Sequence, residues 1–162
     1  MTVNKEFSAR PWLVAASIRY LAKRISKTSS VLETGAGGST LWFASLAASV
    51  VTFEHAPEWF AKIKREIETR GIENVRLVFA PDYPRTGLPP DLGEFDVIMI
   101  DGRGRVRSIE TAINLLKKGG IFILDNANRS RYRPGVRLLN QRFGEPRRFV
   151  GAKRWETAIW RS

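Results

Sequence analysis

An α/β fold is predicted, with a mostly parallel sheet of about seven strands, helices on both faces and an antiparallel strand at the C-terminal end. Three observations predict it. Short β-branched and apolar runs alternate with amphipathic stretches of helical period along the chain. Several of these runs, such as Phe95-Asp96-Val97-Ile98-Met99-Ile100, are apolar nearly throughout, as strands covered on both faces are. A glycine-rich turn, Gly35-Ala36-Gly37-Gly38, follows the first run directly and leads into a helix-forming stretch.

The elements follow in order. Pro11 to Ile25 places Val14, Ile18, Leu21, Ala22 and Ile25 on one helical stripe and predicts an amphipathic helix. Ser30-Val31-Leu32 reads as a strand, and Thr40 to Ala48 as the helix after the glycine turn. Val50 to Glu54 is strand-like; Pro57 suits the first turn of a helix that buries Phe60, Ile63 and Ile67 and stops at Gly71. Val75 to Phe79 is a third strand. Ala80 to Glu94 holds four prolines, which exclude a long helix and predict a substantial loop. Phe95 to Asp101 is a strand, Ser108 to Lys117 a helix closed by Lys118-Gly119-Gly120, and Ile121 to Asp125 another strand. Pro134 to Phe143 reads as helix. Arg148 to Val150 and Thr157 to Trp160 read as a closing antiparallel pair.

At 162 residues and 43% hydrophobic, the chain has the size of one domain with its own core: an N-terminal helical region over 1–28 and a core over 29–162. It holds no cysteine, which excludes disulfides and thiolate metal sites. The N-terminus lacks a signal-peptide pattern, and no apolar run approaches the roughly 18 residues of a membrane span, so a cytoplasmic location is expected. The formal net charge is +11, and from Arg129 to Arg154 nine basic residues face one acid, Glu145. A field of that sign favours an anionic small substrate, nucleic acid or an acidic partner.

In sheets of this kind, ligands sit beyond the carboxyl ends of the strands. That rule selects Glu33, Glu54, Asp82, Asp101 and Asp125, together with the glycine turn. The turn lacks the lysine of a triphosphate loop, and Thr40 stands where the dinucleotide fingerprint needs its third glycine. Glu33, two residues ahead of Gly35, would face a pyrophosphate with like charge. S-adenosylmethionine carries a sulfonium and an ammonium and no phosphate, so the same acid attracts it. Glu54, 19 residues beyond Gly35, is suited to accept both ribose hydroxyl protons.

On these residues the chain resembles the class I S-adenosylmethionine-dependent methyltransferases, whose first motif is acid-x-Gly-x-Gly. Glu33, Gly35 and Gly37 match it, with Ser39 in place of the common third glycine; "FDVIMIDG" and "LKKGGIFILDN" match the fourth and fifth strands, and "WETAIW" the last. The resemblance covers nearly the whole chain. It implies a Rossmann-like core with Glu54 at the ribose, Asp82 near the adenine, and Glu33, Gly35, Gly37 and Ser39 also binding the cofactor. The only histidine, His55, has no paired carboxylate in sequence and is expected beside the cofactor or in packing.

Asp101, Asp125 and Asn126 end adjacent strands, and Asp101 is the catalytic candidate. The three are similar to the acid and Asp-Asn pair that hold a divalent metal in catechol-type O-methyltransferases. Where that family has a lysine after the first acid, this chain has Arg103 and Arg105, which stay protonated. Arg103, Asn126, Arg129 and Tyr132, with Arg105, Arg131 and Arg133 beside them, form the expected mouth for an anionic acceptor, and Tyr132, with Trp12 and Tyr83 as candidate neighbours, could stack a base. The expected activity is methyl transfer to an anionic or nucleic-acid-related acceptor. A basic nucleic-acid-binding or assembly module on the same fold, without catalysis, is the alternative. Aminopropyl transfer needs an acidic polyamine pocket, against which the arginines argue.

Overall fold

In the computed structural model, which describes residues 7–162, the run Ser30–Thr34 becomes strand β1 in the interior of the sheet. Strand β2 (Ser49–Glu54) and strand β4 (Phe95–Ile100) flank it, both parallel to it. Strand β3 (Val75–Phe79) lies parallel outside β2, and strand β5 (Leu116–Asp125) parallel outside β4. The chain closes with β6 (Arg147–Val150) and β7 (Glu156–Arg161). β7 enters antiparallel between β5 and β6, giving the order β3-β2-β1-β4-β5-β7-β6.

Alternation along the strands divides the core. Val31, Val97, Met99, Ile121 and Ile123 face one side with Leu21 of helix α1 (Ala15–Ala22) and Phe43 of helix α2 (Gly38–Leu46). Leu32, Ile98, Ile100, Phe122 and Leu124 face the other with Ile109 of helix α5 (Arg105–Ala112) and Leu139 of helix α6 (Arg133–Phe143). Helix α3 (Pro57–Thr69) buries Ile63 and packs along β2 and β3. Both sheet faces are therefore covered, as the near-continuous apolar strands require. No helix among the described residues is long and apolar enough to cross a membrane.

Three elements differ from the sequence reading. The helix expected from Pro11 to Ile25 is confined to Ala15–Ala22, although Leu13, Val14 and Ile25 are buried on either side of it. The loop over 80–94 contains a one-turn helix, α4 (Tyr83–Thr86), started by Pro84. The helix expected from Ser108 to Lys117 ends at Ala112 and passes through a 3-10 turn at Ile113–Leu115 into β5, so Lys117 to Gly120 belong to the strand. Gly119 adopts φ +78°, and Gly120 passes so close that an added Cβ would lie 2.9 Å from the Asp96 carbonyl oxygen. The register shift between Phe95 and Val97 is absorbed there. A Lys-Gly-Gly run thus kinks a strand here rather than capping a helix. Of the N-terminal region, residues 1–6 lie outside the described residues.

The strand order reverses between β1 and β4, since the chain runs outward to β3 and then returns to β4. Open α/β sheets form their ligand crevice at such a switch point. Register fixes which residues meet there: Thr34 lies beside Phe53 on one side and Ile100 on the other. The Gly35 amide donates to the Phe53 carbonyl at 2.9 Å and the Asp101 amide to the Thr34 carbonyl at 3.1 Å. Gly35, Glu54 and Asp101 consequently emerge on one rim.

Candidate functional site

A cavity of about 1360 Å³ opens on that rim. Its floor is the turn from Gly35 to Ser39, Glu54 and His55 line one side, and Asp101 and Arg103 the other. Gly35 adopts φ +87°, and an added Cβ would sit 2.7 Å from the Gly102 amide nitrogen, so only glycine lets the loop after β4 approach the turn.

Glu33 lies beneath the turn, is fully buried, and does not line the cavity. Its Oε1 accepts the Ser39 hydroxyl and its Oε2 the Thr40 hydroxyl, the latter at 2.5 Å; Thr40 Oγ1 in turn accepts the Gly37 amide at 2.9 Å. This chain explains why α2 starts at Gly38, two residues before its expected start: the Thr40 side chain satisfies an amide at the helix N-terminus. Burial pushes the Glu33 carboxyl up to about 7 against the lowering effect of the hydroxyls, with the Glu54 charge adding to the rise.

Glu54 is 3% exposed and reaches the cavity. Its Oε1 accepts the His55 and Ala56 amides, both at 2.8 Å, and its Oε2 accepts the Ala36 amide at 3.1 Å. One carboxylate therefore ties the turn after β1 to the turn after β2, and Oε2, with a single donor, keeps capacity for a ligand hydroxyl. His55 Nδ1 lies 3.0 Å from Glu54 Oε1, and its ring meets Tyr83 edge-on at 6.0 Å. Tyr83 is buried, and its hydroxyl has no hydrogen-bond partner among the described residues. Burial and the Glu54 charge raise its phenol well above the ordinary range.

Across the rim, Arg105 holds the site together. It is 8% exposed; its Nη2 donates to the Asp101 carbonyl and to Asp101 Oδ1, each at 2.7 Å, its Nε to the Gly102 carbonyl at 3.1 Å, and its Nη1 to the Asp125 carbonyl. The guanidinium thus clamps the ends of β4 and β5, a role that the sequence reading, which placed Arg105 at the mouth, did not foresee. The signal was its spacing: four residues after Asp101, on the first turn of α5, it points back at its own strand end. Burial raises the Asp101 carboxyl to about 7; Arg105 opposes the rise, while Asp125 and Glu33 add to it.

The remaining expected site residues separate into two groups. Arg103, Arg129 and Tyr132 line the cavity with Arg131. Arg103, Arg129 and Arg131 are exposed, and none is ion-paired within the described residues. The Tyr132 ring is covered by the Arg105 and Arg131 guanidiniums at 4.9 and 5.0 Å. Asp82, Asp125 and Asn126 are not on the cavity wall. Asp82 is exposed and accepts from Arg85 at 2.7 Å. Asp125 accepts the Trp155 indole N–H at 2.8 Å and the Thr157 hydroxyl at 2.8 Å, and burial raises its carboxyl above the ordinary range. Asn126, at φ +51°, opens a turn in which its carbonyl accepts the Arg129 amide at 3.0 Å.

These positions do not fit a divalent metal. Asp101 already faces a guanidinium, the Asp125 oxygens are engaged by Trp155 and Thr157, and among the described residues no group of three His, Cys, Asp or Glu is arranged to hold an ion.

Sequence reasoning missed part of the cavity wall. Trp59 lines the cavity and donates its indole N–H to the Ala36 carbonyl. Lys62 stands 4.9 Å above both the Trp59 and Phe7 rings. Phe7 and Ser8, from the N-terminal segment, complete the wall next to Trp12, which the sequence already offers as a neighbour of the mouth; the segment runs over the glycine turn, where a Cβ on Gly38 would meet the Ser8 and Arg10 carbonyls. The available signal was Pro57, since a helix starting there puts Trp59 in its first turn, immediately beyond the Glu54 strand end.

The family model for protein-L-isoaspartate(D-aspartate) O-methyltransferase matches residues 1–135. A protein-L-isoaspartate O-methyltransferase of Pyrococcus abyssi is 27% identical over 140 residues, covering 83% of this chain and 61% of the relative. A catechol O-methyltransferase of Mycobacterium tuberculosis is 32% identical over 109 residues, covering 61% of this chain and 48% of the relative. The chain thus spans about half to three fifths of the length of these relatives. In fold it is similar to a 16S rRNA N2 G1207 methyltransferase of T. thermophilus solved with AdoMet and guanosine, with a TM-score of 0.74 and 19% identity over 100% of this chain and 45% of the other.

Proposed function

The chain belongs to the protein-L-isoaspartate(D-aspartate) O-methyltransferase family, and from that premise we propose that it transfers a methyl group from S-adenosylmethionine to an acceptor bearing an anionic group. The observation that carries this reading is the convergence of the Gly35–Ser39 turn, Glu54 and Asp101 on one cavity. The chemistry supplied by the cofactor is an electrophilic methyl carbon on a sulfonium. Glu54 Oε2 accepts a ribose hydroxyl proton, and the backbone from Gly35 to Gly37 admits the methionine part without a side chain in the way. His55, Ala56 and Trp59 line the cavity next to Glu54 and would form the wall against the adenine.

Glu33 acts here as a positioning residue. Being buried under the turn, it fixes Thr40 and through it the Gly37 amide, rather than touching the ligand. Arg103, Arg129 and Arg131 hold the acceptor's anionic group, each able to offer two parallel N–H donors. Asp101 is the catalytic residue. Arg105 engages its Oδ1, leaving Oδ2 to accept the proton that an O–H or N–H acceptor releases as its lone pair is methylated, and a carboxyl near 7 is matched to that task. A carboxylate acceptor needs no such base, only alignment.

Calorimetric titration with S-adenosylmethionine and S-adenosylhomocysteine tests the reading. Micromolar binding of both is expected, weakened at least about tenfold in Glu54→Gln, which keeps the shape but turns one acceptor into a donor. Absence of binding to the parent protein would refute the proposal.

A further inference from the structure

The cavity is larger than a single small ligand requires. Pockets for single small ligands usually measure roughly 300–1,000 Å³; this cavity is about 1360 Å³. Trp12, which is 78% exposed, is among its lining residues. Of the three large apolar side chains exposed among the described residues, Trp12 alone lines the cavity; Phe79 and Val150 do not.

The backbone around Trp12 is held firmly. Pro11, Leu13 and Val14 on either side are buried, and the Val14 amide donates to Thr157 Oγ1 at 3.2 Å. An exposed indole on an anchored backbone is a flat platform that loses little freedom when something is laid on it. On the same cavity, Arg103, Arg129 and Arg131 are exposed without carboxylate partners among the described residues. The Tyr132 ring is already covered by two guanidiniums, so Trp12 is the aromatic surface left for a ligand at the mouth.

We propose that this cavity binds a single-stranded segment of RNA, one base stacked on Trp12 and its phosphates on Arg103, Arg129 and Arg131. The inference rests on the methyltransferase reading in taking that segment as the methyl acceptor. A stacking platform and unpaired arginines on one cavity are what recognise unstacked nucleotides. A duplex keeps its bases stacked inside, whereas RNA routinely presents unpaired bases in loops and ends. An acidic peptide would satisfy the arginines and leave the indole unused. The charge agrees in sign: the chain carries +11, and Arg129 to Arg154 concentrates nine basic residues against one acid.

The test is fluorescence anisotropy of an end-labelled, unstructured 12-nucleotide RNA with the full chain, at stepped salt and with S-adenosylhomocysteine present. Parallel titrations use the same sequence as single-stranded DNA, the RNA duplex, and a poly-glutamate peptide. The expected result is preference for the single-stranded RNA over all three, with a log K against log salt slope of about −2, from three phosphate contacts at roughly 0.7 each. Trp12→Ala should weaken binding by about tenfold or more without changing the slope, and Trp12→Tyr should restore most of it. Arg129→Ala with Arg131→Ala should flatten the slope by about 1.4.

Equal or tighter binding of the DNA, the duplex or the peptide would overturn the proposal, as would a Trp12→Ala protein of native circular dichroism that binds RNA like its parent. Loss of RNA binding with S-adenosylhomocysteine binding intact refutes this inference alone. Loss of S-adenosylhomocysteine binding in the parent protein refutes the methyltransferase reading.

Discussion

The Glu33 carboxylate and the Thr40 hydroxyl are joined at 2.5 Å beneath the glycine turn, with Glu33 wholly removed from solvent. The acid that opens the motif therefore holds the turn from below. Its carboxyl stands at about 7 against an ordinary 4.5, chiefly because of burial.

A pH dependence of stability follows from Glu33. The unfolded chain loses this proton near 4.5 and the folded chain near 7, so between those values the folded state binds more protons. Stability falls as pH rises through that window and levels off above it. At roughly 1.4 kcal/mol per pH unit, the loss from this residue amounts to about 3 kcal/mol. Urea unfolding at pH 5 and pH 8 should show it, and Glu33→Gln, which cannot ionise, should show a smaller difference between the two. An unchanged pH difference in Glu33→Gln would mean that Glu33 does not titrate in this window.

Arg105 is expected to tolerate no replacement, lysine included. Its guanidinium spans two strand ends through the Asp101, Gly102 and Asp125 carbonyls and the Asp101 carboxylate, and an ammonium cannot reach that set from one point. Losing one or two buried charge-assisted hydrogen bonds makes Arg105→Lys about 3 kcal/mol less stable. Arg103→Lys, at an exposed neighbouring position, should unfold at the parent's urea midpoint to within about 0.5 kcal/mol. Equal stability of the two variants would remove Arg105 from its place as the clamp.

The contrast between these two arginines shows where the sequence was legible. Periodicity placed the strands because strand burial is imposed locally, by alternation and β-branching, and the strand-end rule then located Gly35, Glu54 and Asp101 together. Depth was not legible. Glu33 and Glu54 both end or nearly end strands, yet one lies under the turn and the other opens on the cavity, because β1 is interior and its penultimate side chain points into the α2 layer. Asp82 and Asp125 also lie after or at strand ends but off the cavity, where an exposed ion pair with Arg85 engages one, and the Trp155 indole and Thr157 hydroxyl the other. The Lys-Gly-Gly run misled because the same residues that cap a helix also permit a kinked strand, and only pairing with β4 decides between them.

Cofactor affinity should rise with pH through the ionisation of Asp101. Burial holds that carboxyl near 7, so at pH 6 much of it is protonated and neutral. A ligand bearing a sulfonium and an ammonium favours the ionised form, so binding releases a proton below about pH 7 and strengthens as pH rises towards 8. Calorimetry in two buffers of different ionisation enthalpy counts the proton. Asp101→Asn should bind more weakly at pH 8 and lose most of the pH dependence; a parent-like pH profile in this variant would assign the proton to another group.

The approach of the β4 loop to the glycine turn gives the sharpest steric prediction. A Cβ on Gly102 would stand 2.0 Å from the Tyr83 hydroxyl oxygen, 2.9 Å from the Gly35 amide nitrogen and 3.1 Å from the Thr34 carbonyl carbon. Two of those neighbours are backbone and cannot swing away, so Gly102→Ala must push the loop off the turn. The expected cost is about 2–3 kcal/mol in stability, with a loss of cofactor binding of about tenfold or more. Tyr83→Phe removes the nearest obstacle and deletes a buried hydroxyl that has no partner among the described residues, so alone it should be close to neutral. The double variant should then recover part, but not all, of what Gly102→Ala loses, because the contacts with Gly35 and Thr34 remain. A double-mutant cycle on urea unfolding measures that coupling. Strict additivity would show that the loop moves without meeting Tyr83, and full recovery that the turn itself yields.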